Sequence, residues 1–371
     1  MRAKGRPNHR YYYARATHIS RPSDNTITFH FDPATADREI PLIIGLMPIL
    51  PKHIYEARNI QAATLDFPIG SGPYIVEEIT PGAQVRFKRN PDYWGAGLPV
   101  MAGRHNISTL VDDYYRDQSA AFEAFKSGLV DIWLETDSQR WLGGYSFPAA
   151  RDGRIVKQEI PLGTPSGLRA IVMNTRQPVL ADPPLRRVMD LMFDFEWVNK
   201  ILYGGIFSRT RSYFGNTELS AAERIASPAE RAILGDLVSA EALNVGYQPP
   251  VSDGSGRDRA LKRQALAILE AAGYQLDGKT LRAPDGATVT LELLVQRRED
   301  ERLALAYRRM LAQLGIDLAV RLVDASQYQR RLQNFDFDMI IYNYYASLSP
   351  GNEQAYYWAV SYTHLTLPTK R

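Results

Sequence analysis

Between Arg259 and Tyr342 the hydrophobic period switches repeatedly between that of a helix and that of a strand, and this alternation limits the fold more than any other feature of the chain. Arg259 to Ala271 reads as a helix ended by Gly273, Thr288 to Val295 as a strand, and Glu299 to Leu314 as a helix ended by Gly315. Ile316 to Val323 is a strand, Asp324 caps another helix, and Phe337 to Tyr342 closes the run as an apolar strand. Elements that alternate in this way pack as α/β layers. The last strand runs into Tyr344, Tyr345, Ser347, Asn352, Glu353 and Gln354, a loop closed by Pro350 and Gly351. Loops at the carboxyl ends of such strands carry side chains that meet something other than core, and this one offers apolar rings with polar tips, amides and one acid. The plainer reading is a lid of packed aromatics followed by a solvated turn.

Upstream, Asn25 to Phe31 alternates as a half-buried strand, Lys52 to Ala57 reads as a short helix, and Tyr74 to Ile79 with Ala83 to Arg89 forms a hairpin across Pro81-Gly82. Ile107 to Val111, a helix Asp117 to Lys126 stopped by Gly128, and Val130 to Leu134 together predict a βαβ unit. After Gly163-Thr-Pro-Ser-Gly167 the chain restarts with a strand, Leu168 to Asn174. A helix capped by Asp182 then keeps one apolar stripe from Leu185 to Ile201. A domain boundary is therefore expected near residue 165.

At 371 residues there is room for two domains, and 44 basic against 41 acidic residues leave a charge of only +3, so no polybasic surface or nucleic-acid partner is implied. The basic, tyrosine-containing run from Arg2 to Arg15 is short and no recognition motif follows it. With no cysteine there is neither a disulfide framework nor thiolate chemistry. The histidines never stand three or four apart, Gly70-Ser-Gly72 lacks a phosphate loop's spacing and lysine, and Gly254-Ser-Gly256 is not a nucleophile elbow. Neighbouring acids Asp336 and Asp338 cannot flank a scissile glycosidic bond from one strand, and hydrogen bonding is their expected role. No metal or cofactor is expected.

Several segments in order resemble one family. Phe67-Pro-Ile-Gly-Ser-Gly-Pro-Tyr74, Pro81-Gly82, Arg89-Asn-Pro-Asp-Tyr-Trp-Gly95 and Phe125-Lys-Ser-Gly-Leu-Val-Asp-Ile132 are similar to the signature of family 5 extracellular solute-binding proteins, the peptide-binding components of ABC importers. Phe193 to Lys200, Ser212-Tyr-Phe214, Asp253-Gly-Ser-Gly256, Val323 to Gln329 and Ser347 to Gln354 resemble its YejA-like branch.

The resemblance implies a two-lobed periplasmic binding protein of type II, cluster C-like, that is not an enzyme, holds peptides in a cleft between its lobes and delivers them to the membrane permease subunits of an importer. Residues 1–164 would be a partial first lobe and 165–360 a second, both ends being truncated. A signal peptide and a carboxyl-terminal return segment are expected in the full-length, monomeric protein, and the tail 361–371 resembles translated adapter sequence. In oligopeptide-binding relatives a tryptophan and an aspartate three residues later meet the peptide's amino end. Their matches here are Tyr344 and Ser347, so the carboxylate is missing and Glu353 is the candidate substitute. Tyr345, Asn352, Trp133 and Arg211 complete the expected ligand-binding set. Alternatives are a sugar, nickel-complex or opine binder of the same fold, a carbohydrate-active enzyme, or an intracellular interaction module.

Overall fold

The strand expected at Asn25 to Phe31 is one arm of an antiparallel hairpin, β1 (Ala16–Ser23) against β2 (Thr26–Phe31). The computed structural model describes residues 12–33, 37–47, 49–56, 64–238, 240–245 and 248–358, so Arg2 to Arg10, Ala57 and the tail 361–371 lie outside them. Contacts divide the chain between Trp133 and Leu134 into two units.

In the first unit Phe29 and Phe31 of β2 pack on Ala16, Ile40 and Ile44. A three-stranded antiparallel sheet follows, β3 (Tyr74–Thr80), β4 (Gln84–Arg89) and β5 (Thr109–Asp113). The helix Gln118–Lys126 starts where predicted, because the Asp117 carboxylate accepts the N–H groups of Ser119 and Ala120. The βαβ unit does not form. β5 runs antiparallel to β4, and Val130 to Leu134 is not a strand. Ile132 and Leu134 are exposed, while the Trp133 ring lies 5.7 Å from Phe122 and 5.9 Å from Phe125, so its apolar area covers the helix and joins no ladder.

The second unit begins ahead of the expected boundary at 165. The helix Ser138–Gly143 is tied to the helix Phe195–Tyr203 by Gln139 Nε2, which donates to the Leu202 carbonyl at 2.7 Å, and Asp137 pairs with Arg302 at 3.2 Å. These long-range bonds draw 134–164 into this unit, a connection that local composition does not encode. The stripe from Leu185 to Ile201 is divided as well, into helices Pro183–Leu191 and Phe195–Tyr203. Asp194 interrupts it by capping the second helix, accepting from Trp197 N–H at 2.8 Å and from Gly256 N–H at 2.7 Å. The Asp182 side chain makes no cap bond, and it accepts the Tyr274 hydroxyl at 2.6 Å.

Here the α/β expectation holds. After β6 (Leu168–Met173) and a small hairpin, β7 (Gln275–Asp277) with β8 (Thr280–Arg282), come β9 (Thr290–Val295), β10 (Asp317–Leu322) and β11 (Met339–Tyr344). The main sheet has the order β10-β9-β11-β6, with the first three parallel and β6 antiparallel to β11. Alternate side chains of β9 serve opposite faces. Leu291, Leu293 and Val295 join the large core with Met189, Leu269 and Tyr307 from three helices, whereas Leu294 meets Tyr328, Phe337 and Ile340 on the other face. Each fully buried leucine contributes about 1.5–3 kcal/mol. Gly315 turns the chain from helix Arg298–Leu311 into β10 at φ +77°, where a Cβ would also meet the Leu281 backbone nitrogen at 2.7 Å.

β11 is held unevenly. It pairs with β6 along its whole length, from Met339 to Tyr344, but with β9 only at Met339 and Ile340. Beyond that point the Tyr328 hydroxyl donates to the Ile341 carbonyl at 3.1 Å. Its entry is fixed by Asn174, whose amide donates to the carbonyls of Phe335 and Phe337, with Phe335 held at φ +53°. Asp338 accepts the Glu292 N–H of β9 at 2.8 Å and Asp336 pairs with Arg331 at 3.0 Å, the hydrogen-bonding role expected of these acids.

Candidate functional site

Tyr344 is the last residue of β11, opposite Leu168 at the start of β6, so the strand extends two residues beyond its predicted end. Its ring stacks on Trp358 at 5.0 Å with 28° between planes and meets Tyr342 at 5.0 Å and Tyr357 at 5.2 Å edge to face. Tyr213 approaches Trp358 from another segment at 4.6 Å. Such ring pairs contribute about 0.5–1.5 kcal/mol each beyond area burial. Tyr344, Tyr213, Tyr357 and Trp358, with Leu168, Phe214, Tyr345, Ala346 and Gln354, line a shallow hollow open to solvent. Every described side chain that lines it is apolar, aromatic or an amide.

Burial, with smaller contributions from the hydroxyls of Tyr342, Tyr213 and Tyr357, pushes the Tyr344 phenol up to about 12. A phenol in the unfolded chain ionises near about 10. The neutral ring's stabilisation is thus complete below that value and is lost as pH rises towards 12. Unfolding free energies followed by urea titration from about pH 9 to 12 should fall less steeply in Tyr344→Phe than in the parent protein, and an identical slope would remove Tyr344 as a contributor.

The other expected residues are distributed unevenly. Tyr345 follows on the rim of the hollow, 76% exposed. Ser347 and Glu353 are joined in a closed loop: the single Ser347 hydroxyl proton is shared between the Ser349 carbonyl at 2.7 Å and Glu353 Oε1 at 3.1 Å, and Glu353 Oε1 also accepts from Gly351 N–H at 3.0 Å and Gln354 Nε2 at 3.2 Å. Burial alone would raise the Glu353 carboxyl, but these donors, with its own N–H, outweigh it and hold the pKa below the usual range. Asn352 and Glu353 begin the short helix Asn352–Trp358, so the carboxylate braces the loop into that helix. Arg211 is exposed and pairs with Glu223 at 2.5 Å. Trp133 belongs to the first unit, where its ring packs on Phe122 and Phe125. The second unit therefore brings together Tyr344 and Tyr345 at the hollow and Ser347, Asn352 and Glu353 in the adjoining loop.

Residue-by-residue reading passed over Tyr213, Phe214, Tyr357 and Trp358, although Ser212-Tyr-Phe214 stood among the family-like segments. Trp358 lies five residues after Glu353, one helical turn and more along, and only the fold of that helix turns it back onto Tyr344.

A profile of the bacterial extracellular solute-binding proteins, family 5 Middle, matches residues 1–364. A protein of Brucella suis named provisionally as a binding protein is 40% identical over 359 residues, 96% of this chain and 58% of that one. YejA of Agrobacterium fabrum, provisionally named a peptide-binding protein, is 37% identical over 360 residues, 94% of this chain and 58% of its own length. This chain thus spans little more than half of either relative. The oligopeptide-binding protein AppA of Bacillus subtilis, solved in complex with a nonapeptide, superposes with a TM-score of 0.64 at 16% identity, over 95% of this chain and 62% of that one. At such identity the likeness shows the fold, the α/β arrangement of solute-binding proteins. The chain belongs to family 5 of the bacterial extracellular solute-binding proteins, among its YejA-like members.

Proposed function

We propose that this chain is part of the periplasmic ligand-capturing component of an ABC importer, that its ligands are oligopeptides or peptide-like compounds, and that it acts by binding and not by catalysis. The observation that carries this reading is the uncharged, aromatic and amide-lined hollow at the end of β11, carried by a chain whose relative YejA is named for peptide binding. A receptor for many peptides gains affinity from main-chain hydrogen bonds and tolerant apolar pockets, and a hollow without fixed charge suits that task. The partners in this reading are the peptide and the importer's permease subunits, with the receptor acting as a monomer and without nucleic acid. No described helix is long and apolar enough to cross a membrane, which fits a component that meets its permease at the membrane surface.

Calorimetry on the full-length protein decides the matter. Mixed tri- to pentapeptides are expected to bind with Kd of about 1 μM, near −8 kcal/mol, while manno-oligosaccharides and nickel–histidine give no heat. Binding of the sugar or the nickel complex alone would overturn the reading.

A further inference from the structure

We propose that Trp358 and Tyr213 are the ligand-contacting aromatics of this hollow, that Tyr344 positions them from behind, and that together they form a subsite for one small uncharged side chain of the ligand, of alanine to valine size. The inference rests on the peptide-binding reading and names the part of the peptide that the hollow takes.

Tyr344 is at the expected position for a ligand-stacking aromatic, but its own neighbours already occupy the ring. Trp358 covers one face, and Tyr342 and Tyr357 meet it edge to face. The rings that remain open are those in front. Trp358 is 41% exposed and Tyr213 53%, and at 4.6 Å with 52° between their planes they form a corner facing solvent. Trp358 Nε1 donates to Gln354 Oε1 at 3.0 Å, which fixes the indole plane from within its own helix. The corner is therefore preorganised, with one face of the indole resting on Tyr344 and its polar edge satisfied.

The chemistry of the lining selects the group. Among the described residues no carboxylate, ammonium or guanidinium lines the hollow, so a charged side chain entering it would lose hydration without gaining a partner there. An apolar group loses nothing and covers ring area. The floor has room for about one water-sized group, enough to seat a methyl while the rest of a small aliphatic side chain stays in the open mouth, and too little for an aromatic ring. The expected bound group is thus short and aliphatic.

The test uses the full-length protein with trialanine, trivaline, trilysine and tritryptophan as probes. Trialanine and trivaline are expected to bind at least tenfold more tightly than trilysine or tritryptophan. Trp358→Leu and Tyr213→Leu should each weaken trialanine binding about tenfold, equivalent to about 1.4 kcal/mol. Tyr344→Phe should retain affinity within about twofold, whereas Tyr344→Leu should lose it and also change the near-ultraviolet circular dichroism of the unliganded protein, because Trp358 loses the ring it stacks on. Rescue by phenylalanine but not by leucine separates positioning from contact through the hydroxyl. Wild-type affinity in Trp358→Leu, or equal binding of all four probes, overturns the subsite and leaves peptide binding standing. Failure of the unsubstituted protein to bind any peptide overturns both.

Discussion

Asp300→Ala is expected to lower the unfolding free energy by about 3–5 kcal/mol. Asp300 is 4% exposed in the first turn of helix Arg298–Leu311, beyond the carboxyl end of β9. One carboxylate oxygen accepts from Arg297 Nε at 2.9 Å and the other from Arg297 at 3.2 Å and from the Arg169 guanidinium of β6. It joins an edge strand, a loop and a helix, and it also places negative charge at the positive end of that helix. Removing it leaves two arginines short of a partner. Because Arg169 keeps Glu299 at 3.3 Å and Arg297 is half-exposed, the loss should fall near the lower end of the range. Urea unfolding of Asp300→Ala beside Asp300→Asn measures it. A change below about 1 kcal/mol would mean that the network contributes no more than a surface pair.

The second large effect is expected of Gly167→Ala. A Cβ at Gly167 would lie 2.3 Å from the Tyr344 carbonyl oxygen and 3.4 Å from its carbon, so the β6–β11 ladder must open where the aromatic cluster begins. Overpacking of this kind costs about 1–3 kcal/mol. It should also displace Tyr344, so peptide affinity is expected to fall together with the melting temperature. Gly163→Ala, a few residues earlier, meets nothing within 4 Å and serves as the neutral control. Equal melting temperatures and affinities for the two variants would contradict the contact.

The periodic second half of the chain was legible because its elements are long and their ends carry their own signals: Asp258 and Asp324 cap helices through their side chains, and Gly315 adopts the left-handed conformation a helix stop needs. Reading failed where a tertiary partner overrides the local pattern. Val130 to Leu134 has a strand's composition, but Trp133 covers a helix. The apolar stripe through Met192 and Phe195 continues in phase across two helices, and the break is made by Asp194 with Ser252 and Gly256, some sixty residues away in sequence. The end of β11 was misplaced by two residues because the Asn174 clamp shapes Phe335 and Phe337 into the strand's entry, leaving Tyr342 and Tyr344 in the ladder. At the site, the aromatic loop was visible, but the saturation of Glu353 by Ser347, Gly351 and Gln354 depends on how the loop closes, which residue types alone do not state.

The departure of β9 from β11 after Ile340 has an evolutionary side. From Ile341 onward the strand that ends in Tyr344 keeps its ladder to β6 and a bond from the Tyr328 hydroxyl but has left β9, while Leu293 and Leu294 remain in the two cores behind it. Changes in the loop after Tyr344, or in its length, therefore disturb few backbone hydrogen bonds, although Ile341 and Tyr342 still pack against the two cores. A lineage can vary the loop at this end of the sheet by local trial while the buried leucines of β9 stay in place.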